Sequence, residues 1–146
     1  MSALVEQLLN EEEGPSSPTV YKDNLGYDTI ARGVCVDKRV PGCGLPPAAL
    51  EIANQAKTAD AQMIAMRFPR WAEHNPVRQA VLVSMCFQMG EKPLSWPQFN
   101  GALQRLDYEA AEAAGLDSEW AKTETPRRAK REMGMLRSGG WIPRET

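Results

Sequence analysis

A nearly uninterrupted apolar helix in the middle of the chain constrains the fold most. Residues 80–87 read Ala-Val-Leu-Val-Ser-Met-Cys-Phe, and a helix is predicted over residues 77–89. Asn75 followed by Pro76 is typical of a helix N-cap and first turn, and Gly90 is typical of a helix end. A helix that is apolar nearly all round is a buried helix. We therefore predict a central helix around which a single domain of 146 residues packs.

The N-terminal third of the sequence combines one helix with short strands. A helix is predicted over residues 3–13, where apolar residues share one face, Ser2 is the cap and Gly14 is the end. Three β-type runs follow, and the turn-forming residues 23–26 separate the first two. This pattern predicts a small antiparallel β hairpin lobe over about residues 14–45.

Helical patterns fill the rest of the chain. A long linking helix is predicted over about residues 46–67, because Pro46 and Pro47 open it and Pro69 stops it. Shorter helices and a turn around Trp120 follow the central helix; the predicted helices span about residues 95–105, 108–114 (capped by Asp107) and 126–137 (opened by Thr125-Pro126). The expected fold class is α+β, mainly helical, with the linking helix joining the β lobe to a helical lobe of residues 68–146 plus helix 3–13.

Composition excludes several classes of function. Lys and Arg number 17 against 19 Asp and Glu, so the basic excess of a nucleic-acid-binding surface is missing. The longest apolar run is far shorter than the roughly 18 residues of a membrane span, and no basic-then-apolar leader opens the chain, so synthesis as a soluble cytosolic protein is expected. His74 is the sole histidine, which argues against Ser/His/Asp hydrolysis and His-rich metal sites. We expect no metal and no organic cofactor.

The three cysteines are expected to be buried or unreactive thiols. Cys35, Cys43 and Cys86 form an odd set without CxxC spacing, which is not the pattern of a metal site. In a cytosolic chain they are expected to stay reduced. A disulfide is plausible only between Cys35 and Cys43, after export.

The two ends of the chain carry opposite charge. Residues 1–30 hold six acidic residues and one lysine, whereas residues 120–146 hold seven basic residues and three acidic ones. We therefore expect the two ends to attract each other. In one interpretation a basic C-terminal helix lies beside functional carboxylates and changes their proton affinity, and in the other both ends are solvated faces.

Two carboxylates and a hydroxyl are predicted to share one cleft. Glu13 ends the first helix, Asp23 lies in the hairpin turn and Thr29 lies on the next strand. Hydrolysis of a glycosidic bond needs two carboxyl groups in unlike environments, one protonated and one ionised. The helix dipole and the adjacent Glu11 and Glu12 favour the protonated form of Glu13, whereas Asp23 is expected to be solvated and charged. From spacing alone, solvated surface acids are the alternative.

Three ordered blocks of sequence resemble one family over almost the whole chain. The first block comprises Leu9-Asn10-Glu11-Glu12-Glu13-Gly14, Tyr21-Lys22-Asp23, Gly26-Tyr27 and Thr29-Ile30. The second comprises Val77-Arg78-Gln79-Ala80 and Phe87-Gln88-Met89-Gly90-Glu91, and the third is Thr125-Pro126-Arg127-Arg128-Ala129-Lys130-Arg131, with Trp120 before it and Trp141 after it. Together these blocks resemble the phage-type lysozymes, glycoside hydrolase family 24.

The resemblance implies a lysozyme-like fold and a muramidase. Such an enzyme hydrolyses the β-1,4 bond between N-acetylmuramic acid and N-acetylglucosamine in bacterial peptidoglycan, with inversion. Glu13 matches the general acid, Asp23 the carboxylate that positions or activates water, and Thr29 the hydroxyl that helps to hold this water. Arg128 matches an arginine that pairs with the acid. The neighbouring Arg127 and Arg131 are expected on a solvated face or against the anionic cell wall.

The resemblance also implies where the sugar binds. Gly33 and Cys35 match the strand edge along which the sugar lies, and Phe87 and Gln88 match positions that line the cleft. Phe87 is equally well explained as a core residue, whereas packing alone does not explain Gln88. Trp120 and Trp141 are expected in the core, although stacking on sugar is an alternative.

The resemblance implies that the binding partners are peptidoglycan glycan strands. The enzyme is expected to be a monomer that does not insert stably into a membrane. A phage enzyme of this kind is stored in the host cytoplasm and reaches the cell wall through a lesion made by a separate holin-type protein. Where the family reads Thr-Ile-Gly-x-Gly-His, this chain has Ala31 and Val34 in place of a glycine and the histidine. These departures leave a non-catalytic or virion-associated peptidoglycan-binding module as the alternative. A transglycosylase is disfavoured, because its chemistry needs no water-positioning acid such as Asp23.

Overall fold

The computed structural model describes residues 3–14, 17–22, 28–31, 34–35 and 47–144, and helix dominates these ranges. The prediction of a mainly helical chain is therefore confirmed. In chain order the described α-helices are α1 (Ala3–Glu13), α2 (Pro47–Ala65), α3 (Pro76–Met89), α4 (Pro97–Gln104), α5 (Tyr108–Leu116) and α6 (Pro126–Ser138). Single turns connect some of them: the 3₁₀ turns Trp71–Glu73 and Lys92–Ser95, and the π-helical turn Trp120–Glu124.

Three short strands lie between α1 and α2. They are β1 (Ser17–Lys22), β2 (Asp28–Ala31) and β3 (Val34–Cys35), and they pair in the order β1-β2-β3. Both pairs are antiparallel, and Thr29 in the middle strand is opposite Tyr21 on one side and Cys35 on the other. Helix α2 contacts both β2 and β3 and packs along α3.

Helix α3 forms the centre of the core, as predicted. Its side chains from Ala80 to Phe87 are all buried. The Asn75 side chain caps the first turn by accepting a hydrogen bond from Arg78 N at 2.9 Å. Gly90 ends the helix with φ +63°, in the left-handed region that favours glycine. The apolar stretch and its two end residues therefore encode this helix locally.

The other helices bury apolar residues against α3 and against each other. Leu8 and Leu9 of α1 and Leu82 of α3 are fully buried, and α1 packs directly on α3. Further along the chain, α4 packs on α5 and α5 on α6. The fully buried core residues that these later elements contribute include Phe99, Leu103, Trp120, Met133 and Leu136. Within the described ranges, no helix is long and apolar enough to span a membrane.

The boundaries differ from the sequence prediction where side chains close local turns. Helix α4 begins at Pro97, two residues later than expected, because Ser95 Oγ donates to the Lys92 carbonyl at 2.7 Å and closes a 3₁₀ turn. Asp107 caps α5 as predicted, with Oδ1 accepting from Ala110 N at 3.1 Å. The expected turn at Trp120 is a π-helical turn, closed by Thr125 N donating to the Trp120 carbonyl at 2.9 Å.

Two helical glycines give a matched test of the packing between α5 and α6. A Cβ atom added at Gly115 would lie 2.3 Å from Sδ of the fully buried Met133. At Gly101 in α4 the closest atom, Arg105 Nη1, would be at 3.5 Å, an ordinary contact. We expect Gly115→Ala to lower the free energy of unfolding by about 1–3 kcal/mol through overpacking. Gly101→Ala should raise it by up to about 1 kcal/mol. Urea unfolding measures both, and equal effects would contradict the tight α5–α6 contact.

Candidate active site

Glu13 is the last residue of α1, and the local sequence places it there. Gly14 follows with φ +75°, and its N–H donates to the Asn10 carbonyl at 3.1 Å. Glycine adopts this conformation without the steric penalty of a Cβ atom, so the helix ends at this point. Leu8 and Leu9 anchor the same helix in the core. The carboxyl group of Glu13 is therefore held at a fixed position at the edge of the helical core.

Arg128 of α6 binds Glu13 directly. Its Nη1 atom lies 2.7 Å from Glu13 Oε1, and the exposed fractions of the side chains are 8% for Arg128 and 20% for Glu13. The expected contact between the two ends of the chain is therefore present in the structure. Because the arginine is almost completely buried, its positive charge has to be balanced by carboxyl groups close to it.

The guanidinium of Arg128 also holds two groups on other parts of the core. Its Nε donates to Glu132 Oε2 and its Nη2 to Ser84 Oγ, both at 2.8 Å. Burial alone would lower the pKa of Arg128, but the carboxylates of Glu132 and Glu13 outweigh this effect and raise the pKa above its usual value. Arg128 therefore stays charged and joins α1, α3 and α6.

Glu132 is a buried carboxyl group that the sequence analysis did not single out. Its side chain is fully buried in α6, and Oε2 accepts hydrogen bonds from Arg128 and, at 3.0 Å, from Ser84 Oγ. The other oxygen, Oε1, accepts no hydrogen bond from any described residue. Burial raises the pKa of Glu132 to about 7, against the opposing effect of Arg128. This glutamate can therefore hold a proton at a pH where an exposed glutamate is ionised.

The expectation of a solvated Arg131 is wrong. Its side chain is only 8% exposed, and it donates from Nη2 to Glu11 Oε2 at 2.5 Å and from Nη1 to Glu12 Oε1 at 2.6 Å. Its Nε also donates to the Ile142 carbonyl at 2.8 Å. The run of charged residues in α6 suggests a solvated face, but three glutamates of α1 pack against this face. Arg127 on the other side of α6 is exposed, as predicted.

We call these charged residues the acid–arginine cluster; its members are Glu11, Glu12, Glu13, Arg128, Arg131 and Glu132. Four carboxyl groups thus share two guanidinium groups. The side chain of Glu12 is 7% exposed, so this acid is buried within the cluster.

The second predicted carboxylate, Asp23, lies outside the described residues. The preceding residue, Lys22, pairs with Asp28 at the end of the β1–β2 ladder. Thr29 is in the middle strand, directly opposite Cys35 of β3. Gly33, like the proposed disulfide partner Cys43, also lies outside the described residues.

Gln88 and Phe87 lie at the C-terminal end of α3 with different surroundings. Gln88 Oε1 accepts from Trp120 Nε1 at 2.8 Å, and its Nε2 donates to Thr125 Oγ1 at 3.1 Å. Gln88 therefore satisfies the indole N–H of the fully buried Trp120, which is a core residue as predicted. Phe87 is 4% exposed and belongs to the core, and Lys57 Nζ of α2 lies 4.3 Å from its ring centroid.

His74 and Cys86 also carry groups capable of acid–base or thiol chemistry, but both side chains are buried. His74 shares hydrogen bonds with the Tyr108 hydroxyl at 2.8 Å and the Pro69 carbonyl at 2.9 Å, and burial lowers its pKa. Burial raises the pKa of the Cys86 thiol to about 12, so this cysteine is an inert core residue as expected. Among the described residues, no group of His, Cys, Asp and Glu side chains has the arrangement of a metal site.

Ionisation of Glu132 should reduce stability as the pH rises. The folded protein holds this proton up to about pH 7, whereas an unperturbed glutamate releases it near 4.5. Between these values the folded state binds more protons than the unfolded chain, so its free energy of unfolding falls with rising pH. We expect Glu132→Gln to remove this contribution and to flatten the stability profile between pH 4.5 and 7, as measured by urea unfolding. The exposed Glu109→Gln is the control, and an equally steep profile in the Glu132 variant would contradict the assignment.

No protein-family model matches the chain, and no curated protein matches it either.

Proposed function

We propose that the chain is a muramidase that hydrolyses the β-1,4 bond between N-acetylmuramic acid and N-acetylglucosamine in peptidoglycan. The observation that carries the proposal is the partly buried Glu13, which ends α1 in the acid–arginine cluster and accepts a hydrogen bond from Arg128. The sequence blocks that resemble the phage-type lysozymes support the same activity. We also propose a lysozyme-like arrangement, in which α2 links a β lobe to the helical lobe.

Glu13 acts as the general acid in this mechanism. Cleavage of a glycosidic bond places negative charge on the leaving oxygen, and a positioned carboxylic acid neutralises it by donating its proton. The side chain is 20% exposed, so a substrate can reach it while its surroundings remain partly buried. Glu12, with 7% exposure and an ion pair to Arg131, adds negative charge on the adjacent residue.

Asp23 supplies the second carboxylate, in the connection that follows β1. An ionised carboxylate there would orient a water molecule toward the anomeric carbon, with the Thr29 hydroxyl as the second hydrogen-bonding partner of the water. Direct attack by this water inverts the anomeric configuration. Inverting enzymes keep their two carboxyl groups roughly 6.5–9.5 Å apart, which leaves space for the water.

The glycan strand is proposed to lie between the strands and the end of α3. Gly33 and Cys35 would line one side through the β3 edge and Gln88 the other, whereas Phe87, which is 4% exposed, is a core residue. The amide group of Gln88 has a second N–H besides the one that bonds Thr125, and this N–H can bind a sugar hydroxyl or acetamido group. In the proposed setting, a phage releases the enzyme from the host cytoplasm to the cell wall with the help of a holin-type protein.

Replacing the proposed acid should abolish hydrolysis. We expect Glu13→Gln to reduce clearing of purified cell walls at least about a hundredfold, because glutamine accepts the Arg128 hydrogen bond but donates no acidic proton. Glu11→Gln is the matched control, since it makes the same chemical change in the same helix turn and should keep most of the activity. Circular dichroism establishes that both variants are folded. Comparable activity of the two variants would contradict the role of Glu13 as the acid, and a folded wild-type protein that clears no walls would favour the non-catalytic wall-binding module.

Replacing the proposed water-positioning carboxylate tests the second half of the mechanism. Asp23→Asn should be nearly as inactive as the acid variant, because an amide cannot accept the proton of the attacking water. The wild-type enzyme should first release the inverted anomer, which NMR detects before mutarotation on a soluble glycan fragment. A retained anomer would replace this mechanism by a covalent or substrate-assisted one.

A further inference from the structure

Helix α2 exposes a row of apolar residues to solvent, which we call the α2 stripe. Its members, all exposed, are Ile52, Ala56, Ala59, Met63 and Met66. The exposed fractions of the large residues are 66% for Ile52, 69% for Met63 and 54% for Met66. These are three of the five large apolar residues that are exposed in the described part of the chain. Contiguous exposed apolar surface of this kind marks an interaction site.

The spacing of the α2 stripe is that of a surface between two packed helices. Its members follow one another at intervals of four, three, four and three residues, which places them on one side of a helix. Met66 directly follows the last residue of α2, and its N–H donates to the Gln62 carbonyl at 3.0 Å, so the helical path includes it. Thr58, Ala61 and Ala65 are buried on the opposite side of the helix, which faces the core. The α2 stripe is therefore a second packing surface of the same helix.

The α2 stripe is complementary in size to a second copy of itself. Ala56 and Ala59 are small, whereas Met63 and Met66 are long and flexible. When two α2 helices pack antiparallel, one register places Ala56 opposite Met66 and Ala59 opposite Met63, and the two-fold symmetry repeats both contacts. Each methionine then fills the space beside an alanine of the other copy, as close packing requires.

The same register is complementary in charge. Asp60 and Arg67 are exposed and lie on the same flank of the α2 stripe, and in an antiparallel two-fold pair this flank faces its own copy. At the helical rise, the Cα atoms of Asp60 and of Arg67 in the other copy are about 8 Å apart along the axis. Side chains lean toward the N-terminus of their own helix, so these two lean toward each other, whereas the two Asp60 side chains lean apart. In a parallel pair this flank would face the uncharged flank that carries Gln55 and Gln62.

We propose that the α2 stripe is a dimer interface, at which two copies of this chain pack their α2 helices antiparallel around a two-fold axis. Arg67 can keep its exposed ion pair with Glu91, at 2.9 Å from Nη1, because the guanidinium has further N–H donors for Asp60 of the second copy. One helix from each copy makes an interface at the small end of the range for specific complexes, so we expect a dissociation constant in the micromolar range. The dimer replaces the monomer that the resemblance implies, and it does not depend on the proposed function.

The first test is the oligomeric state of the whole chain in solution. Analytical ultracentrifugation of the wild-type protein should show a monomer at low concentration and a dimer as the concentration rises through the micromolar range. Ala59→Arg places a long charged side chain in the middle of the interface and should weaken the dimer at least about tenfold. Gln98→Arg makes a comparable change at an exposed position of α4 and should leave the dimer unchanged. Urea unfolding establishes that both variants keep the fold.

Charge reversal tests the antiparallel register. Asp60→Arg and Arg67→Asp should each weaken the dimer about tenfold, because each variant places like charges next to each other across the interface. The double variant restores opposite charges and should recover most of the wild-type affinity. Glu91→Gln removes only the partner that Arg67 has within its own chain, and it should leave the dimer intact.

Three results would overturn the proposal. A protein that stays monomeric at every concentration would leave the α2 stripe to a partner of another kind. A dimer that Ala59→Arg does not weaken would have to form through a different surface. A double charge variant that is as weak as the single ones would contradict the antiparallel register. Wall hydrolysis by the wild-type protein tests the proposed function separately from all three.

Discussion

One buried arginine connects the end of the first helix, the central helix and the last helix of this chain. Arg128 lies on α6, binds Glu13 at the end of α1, and reaches Ser84 in the central helix α3. A guanidinium that is only 8% exposed is tolerated only when carboxylates balance its charge, so its partners cannot be exchanged freely. The position of Glu13, and with it the proposed chemistry, depends on this interaction.

The cluster also explains how one carboxyl group can differ from its neighbours in sequence. Three consecutive glutamates end α1, yet their side chains are 30%, 7% and 20% exposed and bind different arginines. Glu11 and Glu12 pair with Arg131, whereas Glu13 shares Arg128 with the fully buried Glu132. Identical residue types thus acquire unlike electrostatic surroundings, which is the condition for dividing acid and base roles between carboxyl groups.

Much of the helical framework was predictable because its determinants are local. The N-caps Asn75 and Asp107 and the glycines that end α1 and α3 act within one helical turn, so the sequence alone reveals them. The burial of Arg131 and Glu132 was not predictable in this way. Residues 130–132 form a charged run in an amphipathic helix. Which of these charged side chains are buried depends on how α1 packs against α6. The pairing of Glu13 with Arg128 was expected from the resemblance, whereas the second acid on the same arginine had no sequence signature.

The chemistry of the cut ends of peptidoglycan tests the central claim most directly. Purified glycan strands digested with the protein, reduced with borohydride and analysed by mass spectrometry reveal which ends were formed. Hydrolysis by Glu13 and a water molecule predicts reducing N-acetylmuramic acid ends, each of which takes up two hydrogens from the reagent. Anhydromuramic ends, which borohydride leaves unchanged, would contradict the account by indicating a transglycosylase. Intact strands that retain bound protein would contradict it by indicating a wall-binding module.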